Sequence, residues 1–362
     1  MPRYVAVALI SVALCRSASV EPESDVWAAV DEIMTNFHNL TDCDGCNCHR
    51  CHGFAFTAGD ASGRKYTFEK GRVTMTKNLL LASASKFPAA LAIAGAVADG
   101  HLAFDTHAHE VFEWWSSNAS DPRTRGTLRH LLSFTSGSNW PEPNAGNVSC
   151  MNGVLSSDYT PEECAREIYH KAPFQFAAGS TFDYNSFHLQ IAAAMAAKAA
   201  GLSVQQLLHA NLIDKLGLRS TGWLAGQNPL MAVAAHSTPD EYDRILRAYL
   251  SNELLPESVA VELERDYLAP PYATAVSEYS VDLAAYCGHY SMCNWFAGLC
   301  DEPVGRPTRS CMSANGTFPP VADWLTPACR GRKIHMDIGL FGYFPLIDRA
   351  KGMYMQIAQS VI

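Results

Sequence analysis

Leu79-Leu-Leu-Ala-Ser83-Ala-Ser-Lys86-Phe-Pro-Ala-Ala-Leu-Ala-Ile-Ala-Gly-Ala-Val-Ala-Asp-Gly100 is the stretch on which the reading of this chain turns. An apolar run stops at Ser83, and Lys86 follows three residues later. The small and apolar residues after Lys86 predict a helix closing at Asp99-Gly100, because glycine enters the left-handed conformation of a helix stop without steric penalty. Phe87, Leu91, Ala94 and Ala98 share one stripe, so the helix reads as buried. Pro88 is tolerable only near its first turn. Ser83 and Lys86 then lie one turn apart at the N-terminus, which suits a nucleophile. A hydroxyl must lose its proton to a nearby base, a Lys at i+3 projects along the same face, and partial burial lowers an ammonium pKa. Unpaired N–H groups and the positive end of the helix dipole favour an alkoxide there.

Spacing alone does not decide the matter. Ser62-Gly-Arg-Lys65 has the same spacing but sits in Gly59-Asp-Ala-Ser-Gly63, a hairpin-turn composition with no helix behind it. The bland alternative for Ser83 is a helix-capping serine beside an incidental lysine.

The chain has 362 residues, enough for one large domain or two intimate ones. Its net charge of −9 argues against nucleic acid and anionic membranes as partners. Residues 1–19, with Met1-Pro-Arg-Tyr, the apolar Val5–Leu14 and Arg16-Ser-Ala-Ser19, read as a secretory signal whose apolar run is too short to span a bilayer. No later segment reads as a membrane span, so the expectation is a secreted protein. Sequons at Asn39, Asn118, Asn147 and Asn315 fit that compartment and suggest a eukaryotic source.

Setting Cys15 aside leaves eleven of the twelve cysteines, an odd number. Cys43, Cys46, Cys48 and Cys51, with His52, could ligate zinc. In an oxidising compartment disulfides with one spare thiol are the better reading, with no metal and no cofactor. Cys287, Cys293, Cys300, Cys311 and Cys329 are expected to staple a Pro/Gly-rich stretch, and Cys150 with Cys164 could close a further loop.

Glu23–Asn39 reads as an amphipathic helix with Val26, Val30, Ile33 and Phe37 on one face and Trp27 and Met34 beside them. Phe54-Ala-Phe-Thr-Ala and Lys65-Tyr-Thr-Phe-Glu predict a β-hairpin. Thr160-Pro-Glu-Glu163 and Thr238-Pro-Asp-Glu241 are helix starts, each with a hydroxyl cap, proline at the first helical position and a carboxylate at the third. Phe187–Ala200 is apolar nearly all round and hence buried. Leu202–Leu216 is amphipathic. The chain closes on two antiparallel strands around Asp348–Gly352. Strands at both ends with helices between give an α/β plan, one antiparallel sheet built from the two ends and a cleft against the helices. The expected division is 20–52 for the N-terminal helix and Cys-rich knot and 53–362 for the main domain. Within the latter, 53–82 and 332–362 form a sheet lobe, 83–285 an inserted mainly helical lobe and 286–331 a Cys-rich insertion.

Several segments, in order, resemble the serine β-lactamase/penicillin-binding-protein superfamily in its class C and esterase-type branch. Ser83-Ala-Ser-Lys86 matches the first motif. Ala98-Asp-Gly-His-Leu-Ala-Phe-Asp105 is similar to "Gly-x-Leu-x-Leu-Asp", and Leu128-Arg-His-Leu-Leu-Ser-Phe-Thr-Ser-Gly137 to "hLLsHTSG". Phe182-Asp-Tyr184-Asn-Ser falls where the family has Tyr-x-Asn, and Leu216-Gly-Leu-Arg-Ser-Thr221 resembles "PLGM-x-x-T". The resemblance implies a β-lactamase-like fold and an acyl-enzyme on Ser83. Lys86 and Tyr184 would share the proton, and backbone N–H groups of Ser83 and of a late strand would form the oxyanion hole. The plainer alternative for Tyr184 is a core tyrosine capping the next helix.

Two departures stand out. Ser186 occupies the place of the motif's amide residue, leaving Asn185 as a substitute if it faces the cleft. For the third motif, usually Lys-Thr-Gly or His-x-Gly, His335-Met-Asp337 and Asp337-Ile-Gly339 compete. His335 is either an oxyanion or substrate contact or a surface histidine, and Gly339 a substrate contact. The family also usually adds a C-terminal helix beyond the last strand. The expected function is a secreted serine hydrolase acting on a small-molecule or peptide-like ester or amide, esterase- or peptidase-like rather than a true β-lactamase. The alternative is a decayed scaffold with a binding or assembly role.

Overall fold

The computed structural model describes residues 53–139, 148–152, 158–224, 226–273, 275–278, 280, 289–296 and 334–359, with parts of a helix between 28 and 35. In that helix Val30 and Met34 are buried, in line with the expected apolar face. The signal segment, the Cys43–His52 cluster, the sequons other than Asn118, and Cys287, Cys300, Cys311 and Cys329 lie outside the described residues.

The strands are β1 Gly53–Asp60, β2 Gly63–Gly71, β3 Leu79–Leu80, β4 Thr181–Phe182, β5 Gly222–Trp223, β6 Ala235–Ser237, β7 Ala275–Val276, β8 Trp295–Phe296, β9 Ile334–Met336, β10 Phe344–Asp348 and β11 Met353–Gln359. Six of them form a sheet of order β2-β1-β11-β10-β9-β8, in which every described pairing is antiparallel. The two chain ends meet at its centre, with Phe54 opposite Gln359 and Asp60 opposite Met353. β1 is buried along nearly its whole length, because both its faces are covered. At the edge strand β2, Tyr66 and Phe68 are half-buried while Lys65, Thr67 and Glu69 are exposed, the alternation of a strand with one wet face.

The helices that position the site are α1 Lys86–Ala98, α2 Leu128–Leu132, α3 Pro161–Lys171, α4 Phe187–Ala200 and α5 Pro239–Leu250. α5 packs on the sheet at β1, β10 and β11, while α1 packs against α4. Phe87 on α1 meets Tyr249 on α5 edge-to-face at 5.1 Å between ring centres, which joins the two layers. The expected helix 202–216 is shorter. Its α-helical part is Val204–Leu208, followed by a π-helical turn at His209–Ile213. Cys150 and Cys164 form a disulfide with Cα atoms 5.3 Å apart. Cys293, by contrast, is a buried free thiol rather than a staple. It lies in an ordered turn, its N–H and Sγ both directed at the Leu132 carbonyl.

Among the described residues no single helix is long and apolar enough to cross a membrane.

Candidate active site

The Ser83 turn is a tight 3-10 segment, Ala82–Ser85, that runs straight into α1. Ala82 adopts φ +48°, a region costly for a residue with a Cβ and so maintained by its surroundings. Those surroundings are specific. The Leu81 N–H donates to the Ala235 carbonyl at 2.9 Å, and the Ser85 hydroxyl accepts from the Ala235 N–H at 3.0 Å. The Tyr242 hydroxyl on α5 donates to the Ala84 carbonyl at 3.0 Å. Ser85, the second serine of the motif, is therefore spent on holding the turn to β6. Ser83 stays half-buried while Ala82, Ala84, Ser85 and Lys86 are buried.

Lys86 extends from the first helical position into the interior, 2% exposed, and its Nζ donates to the Ala232 carbonyl at 3.0 Å. The ammonium lies over the Tyr184 ring, 4.7 Å from the ring centre. Burial lowers its pKa to about 8, against the opposing pull of the Asp337 carboxylate and then of Cys293. Lys86 and Tyr184 are thus brought together from positions almost a hundred residues apart, ammonium against ring face.

Tyr184 is half-buried in an aromatic nest of Phe134 at 5.5 Å, Trp295 at 5.3 Å and Tyr290 at 6.1 Å between ring centres. Its N–H donates to the Ser280 hydroxyl at 2.7 Å. Asn185, expected as a possible substrate contact, turns inward instead. Its Nδ2 reaches the Ser138 carbonyl at 3.2 Å and Asp183 Oδ1 at 2.8 Å, and its Oδ1 accepts from the Phe187 N–H at 3.0 Å. An amide so engaged, 5% exposed, is a turn-former and is not presented to a substrate. Ser186 is half-buried at the start of α4, where its side chain makes no capping bond.

His335 is not a surface group. It lies 2% exposed on β9, packed against the Phe296 ring at 4.6 Å, with Nδ1 3.4 Å from the Ser291 hydroxyl. The segment after β9 is the one that reaches the turn. The Gly339 N–H donates to the Tyr343 carbonyl at 2.7 Å. A Cβ at Gly339 would stand 2.3 Å from the Leu81 carbonyl oxygen and 3.3 Å from Ala84 Cβ. Glycine is required for that approach, so Asp337-Ile-Gly339 is the competitor for the third motif that packs against the nucleophile turn. Asp337 Oδ2 accepts from the Phe87 N–H at 3.0 Å, at the head of α1.

Among the described residues no group of three or more His, Cys, Asp or Glu is arranged to hold a metal ion. What such an arrangement suits is acyl transfer, with a half-buried serine on a strained turn, a buried lysine one turn later and the Tyr184 ring under its ammonium.

The family model for beta-lactamases matches residues 56–260. The chain is 31% identical to the esterase EstB of Burkholderia gladioli over 185 residues, 48% of this chain and 45% of the esterase, so it spans less than half of that relative's length. Among solved structures, a beta-lactamase-like protein of Bacteroides dorei superposes with a TM-score of 0.65 at 19% identity, covering 92% of this chain and 90% of the other. A D-stereospecific amidohydrolase from Streptomyces gives 0.57 at 17% identity, covering 86% and 89%. At such identities the structural likeness establishes a common fold.

Proposed function

Because the chain belongs to the beta-lactamase family, we propose that it is a serine hydrolase that forms an acyl-enzyme on Ser83 and acts on an ester or amide. The observation that carries this reading is the buried Lys86 ammonium, one turn after a half-buried serine on a strained turn and directly over the Tyr184 ring. A cation against Tyr184 stabilises the phenolate, so the tyrosine takes the Ser83 proton during attack and returns it to the leaving group. The oxyanion of the tetrahedral intermediate would be received by the backbone N–H groups of Ser83 and of a late strand. The likeness to an esterase favours an ester substrate.

We propose in addition that the protein enters the secretory pathway. The supports for this are the apolar N-terminal run, the Cys150–Cys164 disulfide and an exposed sequon at Asn118.

A fluorophosphonate probe tests the chemistry, since it needs only nucleophile, base and oxyanion hole. Wild type should label, Ser83→Ala should not, and Tyr184→Phe should slow labelling about 10²–10⁴-fold. Ser62→Ala, in the exposed turn between β1 and β2, should label as wild type does. Equal labelling of wild type and Ser83→Ala, with no turnover of an ester and amide panel, would replace the enzyme by a binding scaffold.

A further inference from the structure

Asp337 opens Asp337-Ile-Gly339, the candidate for the third motif that packs against the Ser83 turn, yet its side chain is turned away from solvent. It is 1% exposed. Oδ2 accepts from the Phe87 N–H at 3.0 Å, and Oδ1 has no hydrogen-bond partner among the described residues. α1 has no side-chain cap of its own from Ser85 at its first turn. The carboxylate therefore supplies that cap from 250 residues away, at the positive end of the helix dipole. It does so at the helix end from which Lys86 departs, and Lys86 is equally buried. Two opposite charges withdrawn from water at one helix terminus each make the other tolerable, whereas either one alone is expensive.

We propose that Asp337 is the positioning residue for Lys86, a buried carboxylate that caps the head of the helix from which Lys86 reaches over Tyr184, while the ammonium itself bonds to the Ala232 carbonyl. The other titratable groups facing this pair are Tyr184 under the ammonium, Cys293 beside both charges, and Tyr242 on α5. None of these carries a positive charge, and burial raises the Cys293 thiol and the Tyr242 hydroxyl well above their ordinary values, so both stay neutral. Among the described residues, the Asp337 carboxylate is then the main negative charge opposing the loss of the Lys86 proton. Burial raises Asp337 and lowers Lys86, and the attraction between them opposes both changes. Losing the carboxylate therefore leaves the desolvation of Lys86 unopposed and releases its proton at lower pH.

The inference rests on the acyl-enzyme reading for its catalytic meaning but not for its physical test. Asp337→Asn keeps an acceptor for the Phe87 N–H and removes only the charge. In labelling of Ser83 as a function of pH, the alkaline limb set by Lys86 deprotonation should move down by about 1 pH unit or more in D337N. A purely structural cap would lower the rate at every pH and leave the limb in place. Thermal unfolding of K86M, D337N and the double variant gives a second readout that needs no activity. Each single variant strands one buried charge, so the double variant should lose less stability than the sum of the two. If D337N alone does not fold, recovery of a folded double variant supports the pair and failure to recover opposes it. Additive losses, or an unmoved alkaline limb, overturn the proposal. Absence of labelling in wild type removes the function proposed above, and the unfolding cycle still decides the pair.

Discussion

A single methyl group at position 339 would meet the Leu81 carbonyl oxygen at 2.3 Å and the Tyr343 carbonyl oxygen at 3.0 Å. Both are backbone atoms, so the strand segment or the Ser83 turn has to move. A displacement of the order of 1 Å at a reacting atom costs about 10²-fold in rate. Gly339→Ala should therefore slow fluorophosphonate labelling of Ser83 about 10²-fold while cooperative thermal unfolding persists. Labelling at the wild-type rate would show that the turn does not depend on this contact. At this scale the sequence was legible where a residue type has one use. The spacing of Ser83 and Lys86 puts both at the head of one helix, as the structure has them, whereas the choice of Gly339 between two candidate motifs needed the close approach to Leu81. The orientations of Asn185 and His335 are not legible in the sequence, because the direction of a side chain is set by partners far along the chain. Ser138, Asp183 and Phe187 draw the amide inward, and Phe296 covers the imidazole.

The helix starts were readable because capping is local. The Thr160 hydroxyl accepts from the Glu163 N–H at 3.2 Å and the Thr238 hydroxyl from the Glu241 N–H at 3.2 Å. Only the first box closes reciprocally. The Glu241 carboxylate leaves its own helix start to accept from the N–H groups of Arg219 and Ser220, a choice no local pattern encodes. The start of α4 hides a further feature. His188 is fully buried, with Nδ1 2.9 Å from the Ser136 hydroxyl and Nε2 2.9 Å from the Asp183 carbonyl, so it ties the Tyr184 turn to the Phe134-Thr-Ser-Gly137 turn. Burial lowers its pKa to about 3, against the pull of the Asp183 carbonyl. A histidine depressed in the folded state takes up its proton first in the unfolded chain. Its contribution is complete above the unfolded value near 6.5 and is lost as pH falls towards 3, by roughly 5 kcal/mol at most. His188→Gln cannot titrate, so its unfolding midpoint should fall less steeply than wild type's between pH 6.5 and 3. Parallel acid profiles for the two proteins would show that His188 titrates alike in both states.

The whole molecule depends on the two chain ends meeting, and that much followed from strand patterns at either end. The position of each strand in the sheet did not follow, because periodicity reports a buried face and not a neighbour. The last strand proves to be central. β11 is flanked by β1 and β10, and all its residues from Tyr354 to Ala358 are buried. Gln356 within it is spent on the Tyr343 hydroxyl at 2.8 Å and the Thr57 hydroxyl at 3.1 Å. Removing β11 would strip the ladders from both neighbours, expose two bare strand edges and leave those hydroxyls without their partner. It would also free β10 and β9, whose following segment presses Gly339 and Asp337 against the Ser83 turn. A chain ending at Lys351 should accordingly be insoluble or unfold without cooperativity, even though it keeps Ser83, Lys86 and Tyr184. The check is circular dichroism melting and fluorophosphonate labelling of the truncated chain beside the full one. A truncated chain that melts cooperatively and labels at Ser83 would mean that the helices alone build the site, and that the sheet is only a cover.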